Sequence, residues 1–392
     1  MSAIMTTYSP SKLSFERGNG PYLYTADGQE YLDFCSGIAV SSLGHGHPQL
    51  INALKKQADR LLHYSNLYQI PEQERAAQRL ATSTFASSVF FCNSGAEAVE
   101  CGIKVVRRYH HENGAPTKNR IITCKNSFHG RSISTLSAAK QEKHMNGFAP
   151  MLDGFDQAPF GEVGEIRKGI TDQTAAILIE PIQGEGGVNA ADEDYLHAVR
   201  ELADEYGILL FLDEVQTGIG RTGKLFAYQW TNIVPDVLST AKGLGGGFPV
   251  GACLTNSKVG SAMTAGSHGS TFGGNPMAMA ATNTVLDVVL ETKFLKHVQE
   301  MSQLLEQKLN ETARAYPEVL GEVRGKGLLL GVQCKVENLV LVKLLEELCL
   351  LTVAAGDNVV RFIPPLIIEN QHIEMAILSL ETACKQLKDR EK

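Results

Sequence analysis

Residues 208–223, ILLFLDEVQTGIGRTG, open on an unbroken apolar run that stops at Asp213 and Glu214. A strand that is apolar on both faces is covered on both, as in the parallel sheets of α/β proteins. Five more short runs share this character: VFFC (89–92), RIITC (120–124), AAILIEPI (175–182), DVLST (236–240) and GACLT (251–255). Between two of them lies DYLHAVRELADEY (194–206), whose apolar positions recur at helical spacing before Gly207 supplies a C-cap. Strands alternating with helices predict a mostly parallel central sheet with helices on both faces. Ligands of such sheets bind beyond the carboxyl ends of the strands, where Asp213 stands. Just past the next run comes STAKGLGGGFPVG (239–251), with Lys242 between apolar residues and a glycine cluster. A lysine there reads either as a surface turn or, beside a strand-end carboxylate, as part of a reaction centre.

Outward from this centre the pattern changes. The stretch 15–40 alternates apolar and polar residues and breaks at Asp27-Gly28, a hairpin signal. A helix is predicted after Pro48. Beyond a helix from Pro276 to Glu291 and a longer one ending before Pro317, the segments GEVRGKGLLLGVQC (321–334) and VVRFIPPLII (359–368) suggest a small α+β unit. The expected division is an N-terminal arm and part of the small domain (1–55), a large domain (56–290) and a C-terminal small domain (291–392).

With 392 residues the chain exceeds the size at which one core stops growing. It is 43% hydrophobic and 20% charged, with a formal net charge of −7, which gives no reason to expect a nucleic-acid surface. The eight cysteines form no CxxC pair and read as reduced thiols. No signal-peptide core and no apolar stretch of membrane-spanning length is found, so a soluble cytoplasmic protein is expected.

Several motifs bear on chemistry. Ser94-Gly95-Ala96-Glu97 follows a strand and reads as a capping box; the same open helix N-terminus is suited to a phosphate. After the 120–124 run come Phe128, His129 and Arg131, the first able to stack on a planar ring and the last to fork onto a carboxylate. EPIQGEGG carries Glu180, Gln183 and Glu185, either an acid/base pair or a turn. Ser270 and Thr271 precede Gly-Gly-Asn-Pro, a second place for a phosphate or a surface turn. Gly218 to Lys224 matches both GxGxxG and GxxxxGK. Leu225 stands where a phosphate loop needs Ser or Thr, and Asp236 comes too early for a dinucleotide site; a nucleotide-dependent enzyme nevertheless remains the alternative from another class. No histidine or cysteine spacing supports a metal site.

Taken together, LDFCSGIAVSSLGHGHP, HYSNLY, FFCNSGAEA, SFHGR, IEPIQGEGGV, LDEVQTGIGRTG, AKGLGGGFPVGA, HGSTFGGNP and AGDNVVRFIPPL resemble the class III aminotransferases (subgroup II, fold type I) nearly from end to end. The resemblance implies a fold type I architecture, pyridoxal 5′-phosphate as cofactor, and a homodimer with shared active sites. It implies that Lys242 holds the cofactor covalently and acts as the base, with Asp213 on the ring nitrogen and Gln216 on the ring hydroxyl. Ser94, Gly95 and Ala96 would hold the phosphate, completed by Thr271 of a second copy, while Phe128 stacks on the ring and His129 lies among the cofactor contacts. Arg131, Ser270, Glu185 and Arg361 would serve substrate, Glu185 covering Arg361 until glutamate arrives. The implied reaction moves the δ-amino group of N2-acetylornithine to 2-oxoglutarate in arginine biosynthesis. Relatives in the family acting on succinylornithine, succinyl-diaminopimelate, ornithine or 4-aminobutyrate are the alternatives. Departures from the family pattern occur at Lys140 and Cys349, where glycine is common, and at Ser132, where threonine is. None is a cofactor position, so any effect is expected in loops near the substrate channel.

Overall fold

The computed structural model describes residues 3–390. Its centre is a seven-stranded sheet that runs, edge to edge, Ser88–Cys92, Gly251–Thr255, Val237–Thr240, Leu209–Asp213, Thr174–Ile179, Arg120–Cys124 and Phe155–Ala158. Only Gly251–Thr255 runs antiparallel to its neighbours. The mostly parallel sheet expected from the apolar runs is therefore present. Every residue of Leu209–Asp213 and Thr174–Ile179 is buried, as a strand covered on both faces requires. One covering layer includes the helix Gly95–Glu112, whose Gly102 lies so close to the Phe211 ring that a Cβ there would fall 2.2 Å from it. The other includes Glu193–Tyr206, closed by Gly207 at φ 59° as the sequence predicted.

A second core gathers Leu32 and Phe34 of the N-terminal arm with residues from Val298 to Leu387. Its sheet is four-stranded, in the order Leu320–Lys326, Leu329–Cys334, Val359–Phe362, Val353–Ala355. The arm forms its own antiparallel sheet, turned at Gly28 (φ 87°), and Glu30–Asp33 pairs in parallel with Leu350–Leu351. The first and last parts of the chain thus share one body. The helix Pro48–Ala58 packs instead on Pro276–Val289 of the large body, and Leu43 belongs to the large core. All eight cysteines are free, six of them buried.

Two family departures occupy backbone that glycine would enter more easily. Lys140 caps a helix at φ 47° and Cys349 stands at φ 61°. A side chain in this region costs about 1–2 kcal/mol, partly offset by the chain entropy that glycine carries, about 0.4–1 kcal/mol. Cys349→Gly, which gives up only a weak bond from Gln29 Nε2 to the Cys349 sulfur at 3.2 Å, should therefore raise stability by about 0.5 kcal/mol, read as a thermal midpoint higher by about 1 °C; an unchanged or lower midpoint counts against strain at this position. Lys140→Gly gains less, because Lys140 Nζ donates to the Phe155 carbonyl at 2.7 Å.

The Gly218–Lys224 glycines do not form a nucleotide loop. A phosphate loop must open a helix whose first N–H groups face the phosphates. Here the segment runs through turns into the four-residue 3₁₀ stretch Ala227–Trp230, and Lys224 lies over the Trp230 ring at 5.0 Å. The alternative of a nucleotide-dependent enzyme loses its site.

Candidate active site

Three strand ends meet at one place. Asp213 closes the central strand and is 4% exposed. Its Oδ2 lies 2.7 Å from His129 Nδ1, and its Oδ1 accepts the Val215 amide at 3.0 Å. The His129 side chain is completely buried and its Nε2 has no protein partner. A buried carboxylate so held keeps its orientation and has lone pairs left for a further donor. Pairing with Asp213 is a role for His129 that the sequence reading did not assign, since nothing in local spacing links residues 129 and 213.

Ser94 is the N-cap of Gly95–Glu112, its Oγ accepting from Glu97 N at 3.2 Å. The expected capping box is only half formed. The Glu97 carboxylate reaches back to Asn93, bonding its amide at 2.7 Å and its side chain at 2.9 Å, rather than the Ser94 amide. The first N–H groups of any helix lack helical partners, so those of Gly95 and Ala96 remain for a ligand. Glycines let other chain segments crowd this terminus. A Cβ on Gly95 would lie 2.7 Å from Val215 Cγ1, one on Gly130 2.7 Å from Ala96 Cβ, and one on Gly251 2.4 Å from the Ser94 carbonyl. This is a cradle that a larger residue would fill.

Lys242 follows the strand Val237–Thr240, in a left-handed conformation at φ 46°. Burial pushes its amine down to about 8, and the Arg361 guanidinium pushes the same way, while Asp213, Glu180 and Glu185 oppose. Ser42 Oγ donates to the Gly243 carbonyl at 3.1 Å, tying this turn to the N-terminal arm. Glu180 accepts the Phe128 amide at 2.9 Å, and burial followed by the charge of Asp213 raises its carboxyl. Phe128 is half-buried, with the Arg131 guanidinium carbon 5.5 Å from its ring centroid; Arg131 itself is exposed. Glu214 points away from this group. It accepts the Ala227 and Tyr228 amides at 2.6 and 2.9 Å and the Thr217 hydroxyl at 2.9 Å, and burial lifts it to about 7.

Arg361, from the small-domain sheet, reaches the same place. Its side chain is 1% exposed and donates to Glu185 Oε2 at 2.8 Å, to the Ala354 carbonyl at 3.1 Å and, at 3.5 Å, to Gln216 Oε1. Gln216 lies across Gly184, where a Cβ would fall 1.6 Å from its Oε1. Gln183 is structural, donating to the Lys125 carbonyl at 2.8 Å. The Ser270 hydroxyl takes the Gly273 amide at 2.9 Å and the Asn93 side chain at 3.2 Å, beside the Ser94 turn. Thr271 and Phe272 are exposed. Among the described residues no group of histidine, cysteine or carboxylate side chains has the makings of a metal site, and no helix is long and apolar enough to cross a membrane.

The arrangement offers a depressed amine, a fixed carboxylate, an open helix N-terminus and an aromatic face. Comparison with known proteins agrees with this chemistry. The family described as aminotransferase class-III matches residues 4–384. The chain is 52% identical over 381 residues to the acetylornithine aminotransferase of Brucella melitensis biotype 1, covering 97% of this chain and 94% of that one. It superposes on the N-acetylornithine aminotransferase of Stenotrophomonas maltophilia K279a with a TM-score of 0.86 at 35% identity, covering 98% and 99% of the two chains. A Toxoplasma gondii ornithine aminotransferase, described with partial occupancy of PLP at its active site, gives a TM-score of 0.95 at 31% identity, covering 100% of this chain and 94% of that one.

Proposed function

The chain belongs to the class-III aminotransferases, and on that premise we propose that it transfers the δ-amino group of N2-acetylornithine to 2-oxoglutarate, giving N-acetylglutamate 5-semialdehyde and glutamate in arginine biosynthesis. The observation that carries the substrate is the near-complete alignment with a relative named for it. Turnover compared across acetylornithine, succinylornithine, ornithine and 4-aminobutyrate tests the assignment. Acetylornithine should give the highest kcat/KM, and a preference for any of the others overturns it.

The residues present fit pyridoxal 5′-phosphate. Lys242 would hold it, the Ser94, Gly95 and Ala96 turn would take its phosphate, Phe128 would cover its ring, and Asp213 and Gln216 would meet the ring nitrogen and hydroxyl. When bound, this cofactor supplies an electron sink for charge developing at the substrate carbon. Lys242 Nζ, displaced by substrate, moves the proton to and from that carbon. With its amine at about 8, roughly a tenth is neutral near pH 7, close to the optimum for a general base. Asp213, braced by His129, keeps a proton on the ring nitrogen. Thr271 is exposed and would complete the phosphate site of a second copy, in a cytoplasmic homodimer with shared sites. Ser270 fixes that loop against Asn93 and lies at the edge of the substrate region.

Arg131 takes the carboxylate of the amino donor. Glu185 and Arg361 serve as a switch, for which the difference in exposure is the physical support. Glu185 is about a third exposed and can turn toward water, whereas Arg361 is buried. A buried guanidinium left unpaired is costly, so its release from Glu185 favours an arriving carboxylate, that of glutamate or 2-oxoglutarate. Glu185→Ala should shift the ratio of kcat/KM for glutamate over acetylornithine upward by about tenfold, the worth of one charge-assisted bond. Equal losses with both donors would count against a switch.

A further inference from the structure

Arg221 is among the largest fully buried side chains, and among the described residues no carboxylate pairs with it. Its Nη1 donates to two carbonyls, Leu328 at 2.9 Å and Pro364 at 2.5 Å, and its Nη2 has no partner. Burial lowers its guanidinium to about 9, which leaves it charged at neutral pH. A buried cation without a counter-charge is expensive, so its geometry needs an account beyond stability.

That account lies in the small-domain sheet. Leu329–Cys334 pairs antiparallel with Val359–Phe362, with Leu330 opposite Phe362 and Gly331 opposite Arg361. Continuing this register by two residues sets Leu328 opposite Pro364. Proline has no N–H, so the ladder cannot close there. Arg221 supplies the missing donor, bridging the two facing carbonyls, while the Leu328 amide donates back to the Arg221 carbonyl at 2.9 Å. The contact is close: a Cβ on Gly327 would fall 2.4 Å from the Thr222 Cα. Arg221 belongs to the large-domain loop that begins at Asp213 and carries Gln216. The strand it plugs carries Arg361, three residues before Pro364.

We propose that Arg221 is a positioning residue that docks the end of the Arg361 strand onto the Asp213–Gln216 loop and so sets the depth at which Arg361 meets a substrate carboxylate. The inference rests on the reading of Arg361 given under Proposed function. Removing the plug loosens the ladder end, which keeps the Ile363 amide on the Phe34 carbonyl at 2.8 Å and the Ser36 hydroxyl on the Ile363 carbonyl at 2.6 Å, and lets Arg361 drift from Gln216, while Lys242, Asp213 and Arg131 stay on the large domain.

The test uses Arg221→Met and Arg221→Lys, with Arg361→Ala as reference, each half-reaction of the holoenzyme being followed separately. Arg221→Met should raise KM for glutamate about tenfold, the scale of weakening one charge-assisted bond to its carboxylate, and leave KM for acetylornithine within about twofold; Arg221→Lys, able to reach one carbonyl, should fall between. In the cofactor-free chain, amide hydrogen exchange should quicken over residues 328–334 and 359–363 in Arg221→Met and stay unchanged over the central strand 209–213. A fall in both half-reactions together, or exchange unchanged in the small-domain strands, overturns the proposal, and if Arg221→Met does not fold, Arg221→Lys carries both readouts. Should Arg361→Ala leave the glutamate KM unchanged, the reading of Arg361 fails instead; should it raise that KM while neither Arg221 variant does, the positioning role alone fails.

Discussion

Replacing Lys242 with alanine should lower transaminase turnover by at least roughly 10³-fold, because in the role proposed for it one change removes both the covalent anchor and the proton-transferring base. The fold should survive, since the amine lost is one that its surroundings already discourage from carrying charge. A second measurement addresses the amine itself. The neutral form is the nucleophile, and its folded value of about 8 lies below the ordinary lysine value of 10.5. Cofactor loading of the empty wild-type chain should therefore quicken as pH rises and level off above about 8. The same shift has a stability sign. Between about 8 and 10.5 the unfolded chain binds more protons at this lysine than the folded chain does, so its contribution to stability improves as pH rises through that window, and below it the cost of burying the charged amine is fully present. Full turnover by Lys242→Ala, or loading that rises only near 10.5, contradicts the assignment.

Asp213→Ala is expected to cost about 10²–10³-fold in turnover, the range for removing one fixed electrostatic partner of a developing charge. It also leaves His129 Nδ1 without its acceptor in a fully buried place, a further cost of about 1–3 kcal/mol of stability. The two losses separate by variant. His129→Phe keeps the carboxylate but frees it to turn, and should reduce turnover less than Asp213→Ala does. Equal turnover for wild type and Asp213→Ala would remove Asp213 from the chemistry.

The central sheet was legible because a strand covered on both faces shows as a continuous apolar run, and Asp213 and Lys242 were legible because each interrupts such a pattern at its end. The helix at Ser94 was legible for the same local reason. What escaped was contact between distant segments. No periodicity joins His129 to Asp213, and none joins Arg221 to Pro364. The half-formed capping box shows the limit even nearby, since the Glu97 carboxylate took the amide of Asn93, one residue before the Ser94 amide that the motif calls for. Backbone sign was hidden too. Residues 36–39 all have positive φ, Ile38 among them at 64°, although only Gly37 advertises it. For Lys140 and Cys349 the sequence suggests only an effect on loop geometry, whereas their left-handed backbone gives the reason for glycine there.

The edge position of Ser88–Cys92 has a consequence in time. This strand leads into the Ser94 turn, and its one neighbour in the sheet is Gly251–Thr255. At synthesis rates of about 5–20 residues per second, the partner leaves the ribosome roughly 8–30 s after the strand does. Throughout that interval VFFC offers unpaired amides and carbonyls on an apolar ribbon, a template for association with other nascent chains. The Ser94 turn proposed as a phosphate cradle is thus among the last parts of the large domain that can assemble, and a newborn chain halted before residue 251 lacks the strand that completes it.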